Sequence, residues 1–208
     1  TLFYRQMPEL IQRGYIYIAQ PPLFRVKRGK SEVYLKDEPA LREHLFTAAQ
    51  NEIEICSEEG QKISGARVRT LMKKFVAFEA LLEHFSKKQI DPDLLRLLVC
   101  ETDLGLALLK NRPGLLSLIS QVEQRFRATS PEGMIALTLD QDEEHESFRI
   151  ECRVQRNGSA KRFNLDEALI TSAEFRELSN LAPQKIGLGP PPYRVINPDG
   201  EAVYNTTE

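Results

Sequence analysis

Apolar residues along the chain change period twice, and those changes divide it into a mixed amino-terminal stretch, a helical middle and a strand-rich end. Phe3, Met7, Leu10 and Ile11 recur at helical spacing, with Pro8 predicting a kink or break near Met7 and Gly14 a stop. Tyr15 to Ala19, rich in β-branched and aromatic side chains, predicts a buried strand that Pro21-Pro22 ends. Leu23–Lys27 and Glu32–Lys36 flank Arg28-Gly29-Lys30-Ser31, a hairpin with a basic tip. Asp37-Glu38-Pro39 opens a helix to about Phe46. Asn51 to Cys56 alternates like a half-exposed strand, and Ser57 to Ser64 reads as a polar turn.

From Ala66 to Lys88, the residues Val68, Leu71, Met72, Phe75, Phe78, Leu82 and Phe85 step by three or four, one face of a long helix. Asp91-Pro92 caps another to about Cys100, Thr102 is a candidate cap for a short one to Lys110, and Leu115, Ile119, Val122 and Phe126 stripe a fourth. The period then becomes two. Ile135–Leu139, Phe148–Val154 and Lys161–Leu165 predict a meander, with Asn157-Gly158 as a tight turn. Thr171-Ser172-Ala173-Glu174 reads as a capping box for a helix to about Leu181. Beyond Pro183 the chain is rich in Gly and Pro, a linker or loosely packed edge, with one more turn at Asn197-Pro198-Asp199-Gly200. The fold class is α+β.

Composition narrows the function classes. The 208 residues are 41% hydrophobic and 28% charged with a net charge of −2, ordinary for a globular chain. No apolar run approaches the roughly 20 residues of a membrane span, and no signal peptide is visible, so a cytoplasmic location without a membrane partner is expected. Cys56, Cys100 and Cys152 are too scattered for a disulfide frame or zinc site. The chain starts as if cut from something longer.

Sequence motifs for phosphate loops, nucleophile elbows and zincins are missing, and His44, His84 and His145 are isolated. The run Asp140, Asp142, Glu143, Glu144, Glu146 lacks the spacing of a calcium loop and reads as a solvated hairpin loop. No catalytic set and no metal site can be assembled. Positive charge carries the better signal. Arg25, Lys27, Arg28 and Lys30 gather at the hairpin, where they could touch phosphates without reading bases. Arg67, Arg69, Lys73 and Lys74 oppose the dipole at a helix start. Arg153, Arg156, Lys161 and Arg162 flank the Asn-Gly turn and read as solubility charges.

The opening Thr1-Leu2-Phe3-Tyr4-Arg5-Gln6-Met7-Pro8-Glu9-Leu10, then Gly14-Tyr15-Ile16-Tyr17-Ile18-Ala19-Gln20-Pro21-Pro22-Leu23, closely resembles the B subunit of bacterial DNA gyrase. Phe24–Lys30 and Tyr34–Asp37 resemble that family's next hairpin, and Leu169–Arg176 a late segment of its long insertion. The resemblance implies the end of a Toprim domain over 1–40, then an insertion domain over 41–182. Within that insertion would lie helices over 66–128, an antiparallel meander over 133–165 and a helix over 172–181, with 183–208 a flexible Gly/Pro-rich segment. It implies a parent enzyme that negatively supercoils DNA with ATP and Mg²⁺, working with the A subunit in an A2B2 complex and with other domains of the B subunit. The family's catalytic residues match nothing here, so this stretch is expected to hold no cofactor, and to grip DNA or brace domains. Topoisomerase IV B is the near alternative, and a protein-interaction module without DNA affinity the other.

Overall fold

The computed structural model describes residues 2–17, 21–57, 62–130, 133–142, 147–156, 158–185, 187 and 192–204. The chain divides into two compact units, 1–49 and 50–208. Helices and antiparallel sheets alternate in both, an α+β arrangement.

In the first unit, α1 (Leu2–Gln6) and α2 (Pro8–Gln12) are two short helices, because Pro8 has no N–H to continue the ladder. Neither buries a side chain. Tyr15–Tyr17, predicted to begin a buried strand, are in no strand and stand exposed, while Ile18 and Ala19 lie outside the described residues. A strand propensity without a neighbouring ladder leaves backbone groups to water. Among the described residues, β1 (Phe24–Arg28) and β2 (Ser31–Leu35) pair only with each other. Gly29, at φ +59, takes the first central place of their turn, which suits a glycine-first hairpin. α3 (Glu38–Glu52) starts where Asp37 Oδ1 accepts from Ala40 N at 2.8 Å. It runs on through Asn51 and Glu52, the two residues whose alternation predicts the start of a strand.

In the second unit, β3 (Glu54–Ser57) pairs with β4 (Lys62–Ser64), a strand the sequence presents as part of a turn. α4 (Ala66–Lys87) follows its apolar stripe and serves two cores. Its first half packs Val68 and Leu71 with Ile63 and Tyr193, and its second packs Phe78, Leu82 and Phe85 into the main core.

α5 (Pro92–Glu101) starts at Asp91, whose Oδ1 accepts from Leu94 N at 2.9 Å. Thr102 is extended and donates back to Leu98 O, so the short α6 (Leu106–Leu109) begins after Gly105 instead. α7 (Arg112–Thr129) is capped by Asn111, which accepts from Gly114 N at 3.1 Å.

β5 (Met134–Asp142), β6 (Ser147–Arg156) and β7 (Ser159–Leu165) form the meander in that order. Arg156 pairs with Ser159 across the turn, and Asn157 itself lies outside the described residues. Ile150, Cys152, Val154, Phe163 and Leu165 point into the main core.

α8 (Glu167–Thr171), which has no sequence stripe, is capped by Asp166, and Ser172 caps α9 (Ala173–Asn180) by accepting from Phe175 N. The predicted box on Thr171 fails because Thr171 ends α8. Pro183–Lys185 form a 3₁₀ turn. β8 (Tyr193–Asn197) and β9 (Gly200–Tyr204) close a sheet of order β4-β3-β8-β9. Tyr193–Asn197 and Gly200–Tyr204 are thus strands on either side of the turn that the sequence offers, with Tyr193 buried, although they lie in the stretch read as a linker or loosely packed edge.

Candidate nucleic-acid interface

The hairpin sorts its side chains by face. Phe24 pairs with Leu35 and Val26 with Val33, while Arg25 pairs with Tyr34 and Lys27 with Glu32 on the other face. Glu32 is therefore diagonal to Arg25. Arg25 Nε lies 2.5 Å from Glu32 Oε1, and its Nη2 donates to Oε2 at 2.8 Å. Tyr34 OH donates to the same carboxylate at 2.5 Å. Arg25 first, and then Tyr34, hold the Glu32 carboxyl below its usual range; the same bond raises the Tyr34 phenol. Arg25 is committed to Glu32, whereas Lys27, Arg28 and Lys30 sit at the exposed tip. The sequence groups four cations; the register places Arg25 and Lys27 on one face of the ribbon and Arg28 on the other, with Arg25 ion-paired to Glu32.

The cations around the Asn-Gly turn part company too. Arg156 and Lys161 face inward: Arg156 reaches Asp93, and Lys161 Nζ donates to Ser86 Oγ at 3.2 Å. Arg153 and Arg162 face outward and oppose each other directly across β6 and β7. Glu151 Oε1 lies 2.9 Å from Arg153 Nε and 2.5 Å from Arg162 Nε. The two arginines, Arg153 first, lower the Glu151 pKa. The signal is in the sequence: a two-residue Asn157-Gly158 turn sets Arg153 opposite Arg162, but reading the four cations as solubility charges passes over it.

α4 begins without a side-chain cap and without an acidic residue in its first turn, beside Arg67 and Lys74. His84 meets the Phe85 ring edge-on, and His145 lies outside the described residues. Asp140 Oδ2 is 3.9 Å from Arg149 Nε, while Glu143, Glu144 and Glu146 lie outside the described residues. Among the described residues no group of three or more His, Cys, Asp or Glu converges for a metal ion. The thiols are free, with burial pushing Cys100 up to about 11 and Cys152 higher still. Among the described residues, no helix is long and apolar enough to cross a membrane.

A family model described as the DNA gyrase B subunit insert domain matches residues 55–188, well over half of the chain. The chain belongs to the DNA gyrase B subunit family. A second model, the gyrase B hook, matches residues 22–49, which hold the β1–β2 hairpin and most of α3. The DNA gyrase B subunit of Rickettsia bellii is 47% identical over 88 residues, 42% of this chain and 11% of the relative. That of Caulobacter vibrioides is 39% identical over the same length. The type 2 topoisomerase B subunit of Aquifex aeolicus is 38% identical over 72 residues, 35% of this chain and 9% of the relative. The chain thus spans about a tenth of the curated relatives it matches. In gyrase B terms, the basic tip belongs to the hook, and the Arg153–Glu151–Arg162 trio to the insert domain.

Proposed function

We propose that this chain works as part of a type II topoisomerase B subunit whose whole enzyme negatively supercoils DNA, using ATP and Mg²⁺ held by other parts of that enzyme. In this reading residues 1–40 end a Toprim domain, the A subunit and DNA are the partners, and the cytoplasm is the location. The chain's own task is to grip DNA and brace neighbouring domains. It makes and breaks no bonds.

The observation that carries the task is the hairpin. Its register sets Arg25 against Glu32 and brings three further cations to the exposed tip, Lys27 on the Arg25 face, Arg28 on the opposite face and Lys30 in the turn. Such a group meets phosphates electrostatically and reads no bases. Arg25 acts as a positioning residue, bracing β1 against β2.

The test is fluorescence anisotropy of the chain with a labelled duplex over a range of salt. Wild type should bind with a log–log salt slope of about −0.9 per phosphate contacted. Lys27→Glu/Arg28→Glu/Lys30→Glu should flatten that slope and weaken binding about tenfold or more. Unchanged binding by the triple variant would refute the tip as a DNA contact. ATP hydrolysis or DNA relaxation by the purified chain, contamination excluded, would refute the non-catalytic role.

A further inference from the structure

We propose that the outward face of the β5–β6–β7 sheet binds a phosphate of a nucleic-acid backbone between Arg153 and Arg162, the two guanidiniums being set by Glu151. The proposal rests on the reading that this chain contacts DNA, and adds to it a second contact, in the insert domain.

Two arginines directly opposite on neighbouring strands repel each other and weaken a sheet unless something offsets them. Glu151 does so in part. Both Nε atoms converge on its single Oε1, at 2.9 and 2.5 Å. The carboxylate lies beneath its partners: its side chain is 12% exposed, against 60% and 69% for Arg153 and Arg162. Among the described residues, the contacts of these two guanidiniums run through Nε to Glu151. Two guanidinium forks are therefore tethered over one negative charge, with one positive charge in excess. A phosphodiester presents two outer oxygens to such forks, the geometry that arginine matches bidentately. The tether fixes both side chains beforehand, so less rotamer freedom is lost on binding.

The neighbours favour a phosphate backbone over an acidic protein. Thr138 and Asn164 flank Glu151 in register on the same exposed face, adding a hydroxyl and an amide. Arg149 lies further along that face, opposite Asp140 and 3.9 Å from its carboxylate, so that pair adds no net charge. A protein interface would be centred on buried aromatic or large apolar anchors; on this face Ala136 opposes Arg153 and Met134 lies one step beyond it, 64% exposed, so neither is such an anchor.

The experiment uses the whole chain and a labelled duplex of about two helical turns, with circular dichroism and melting to establish folding. Arg153→Gln/Arg162→Gln should weaken binding about tenfold and reduce the salt slope by about one, for the single phosphate held. Glu151→Gln, removing the competing carboxylate, should tighten binding several-fold. A purely structural trio predicts the opposite for Glu151→Gln, because two unneutralised arginines would disturb the sheet. Wild-type binding by the double arginine variant overturns the proposal, as does weakened binding by a folded Glu151→Gln. So does equal affinity for a poly-glutamate peptide at matched ionic strength. If the hairpin-tip variant loses DNA and the arginine variant does not, the clamp falls and the broader reading stands. If wild type binds no DNA, both fall.

Discussion

Arg156, at the end of β6, holds its guanidinium carbon 4.7 Å from the centroid of the Phe126 ring on α7. The same group contacts the Asp93 carboxylate, and its Nη2 lies 3.9 Å from Oδ1 of Asp91, the cap of α5. One side chain thus joins the meander to the start of α5 and the end of α7. Arg156→Met keeps the length and loses both attractions. It should destabilise the fold by about 2 kcal/mol in urea unfolding, since the site is only partly exposed. Arg156→Lys should recover little of that, because an ammonium cannot stack its plane on the ring. Full stability in the lysine variant would refute the stacking account.

Gly133 completes that contact from the strand side. A Cβ there would stand 3.1 Å from Phe126 Cε1 and 3.4 Å from Arg156 Nε. Gly133→Ala should cost about 1–2 kcal/mol, by pushing the ring and the guanidinium apart. The loss should be smaller in an Arg156→Met background, where the crowded partner is already gone. A double-mutant cycle measures this, and strict additivity would mean the two residues do not share the contact.

How much of this the sequence announces depends on whether a feature is local. α4 and α7 are legible because their apolar residues repeat at three and four, and the meander because Phe148 to Val154 alternates. Lys62-Ile63-Ser64 has no such signal. It is a strand only because β3 offers Ile55 opposite Ile63. Tyr15–Tyr17 err the other way, with strong strand propensity but no ladder among the described residues. The basic residues show the same limit. Charge counting finds Arg25, Lys27, Arg28 and Lys30, yet only register reveals that Arg25 answers to Glu32. Arg153 and Arg162 flank the Asn157-Gly158 turn, whose two-residue length sets them face to face, yet their shared carboxylate, Glu151, shows only in the structure.

Gln89 is a non-glycine residue at positive φ, +65, just past the end of α4. Its N–H reaches Ser86 O and that of Ile90 reaches Phe85 O, the paired bonds of a Schellman ending. A side chain in this left-handed position costs about 1 kcal/mol, which glycine avoids. Gln89→Gly should therefore raise stability by up to about 1 kcal/mol without moving α4 or α5. Thermal melting checks it, and a lower melting temperature would count against this ending.

Alkaline pH should probe Cys100. Burial is the main reason its thiol rises from 9.0 to about 11, with Glu101 and Glu79 adding to it and Arg96 opposing. The unfolded chain releases this proton near its ordinary value, and the folded chain holds it longer. Between those two values the unfolded state binds fewer protons, so the folded state loses ground as pH rises. Below about pH 9 the contribution is constant. Tyrosines and lysines titrate in the same window, so the informative quantity is the difference between wild type and Cys100→Ser, which has nearly the same shape and no ionisable thiol. That difference in unfolding free energy should stay flat to about pH 9 and then move against wild type up to about pH 11. Alkylation of Cys100 in the native protein at about pH 8 should be correspondingly slow, and should accelerate once urea unfolds the chain. Parallel stability curves, or fast native alkylation, would show that the thiol is not shielded in the second unit.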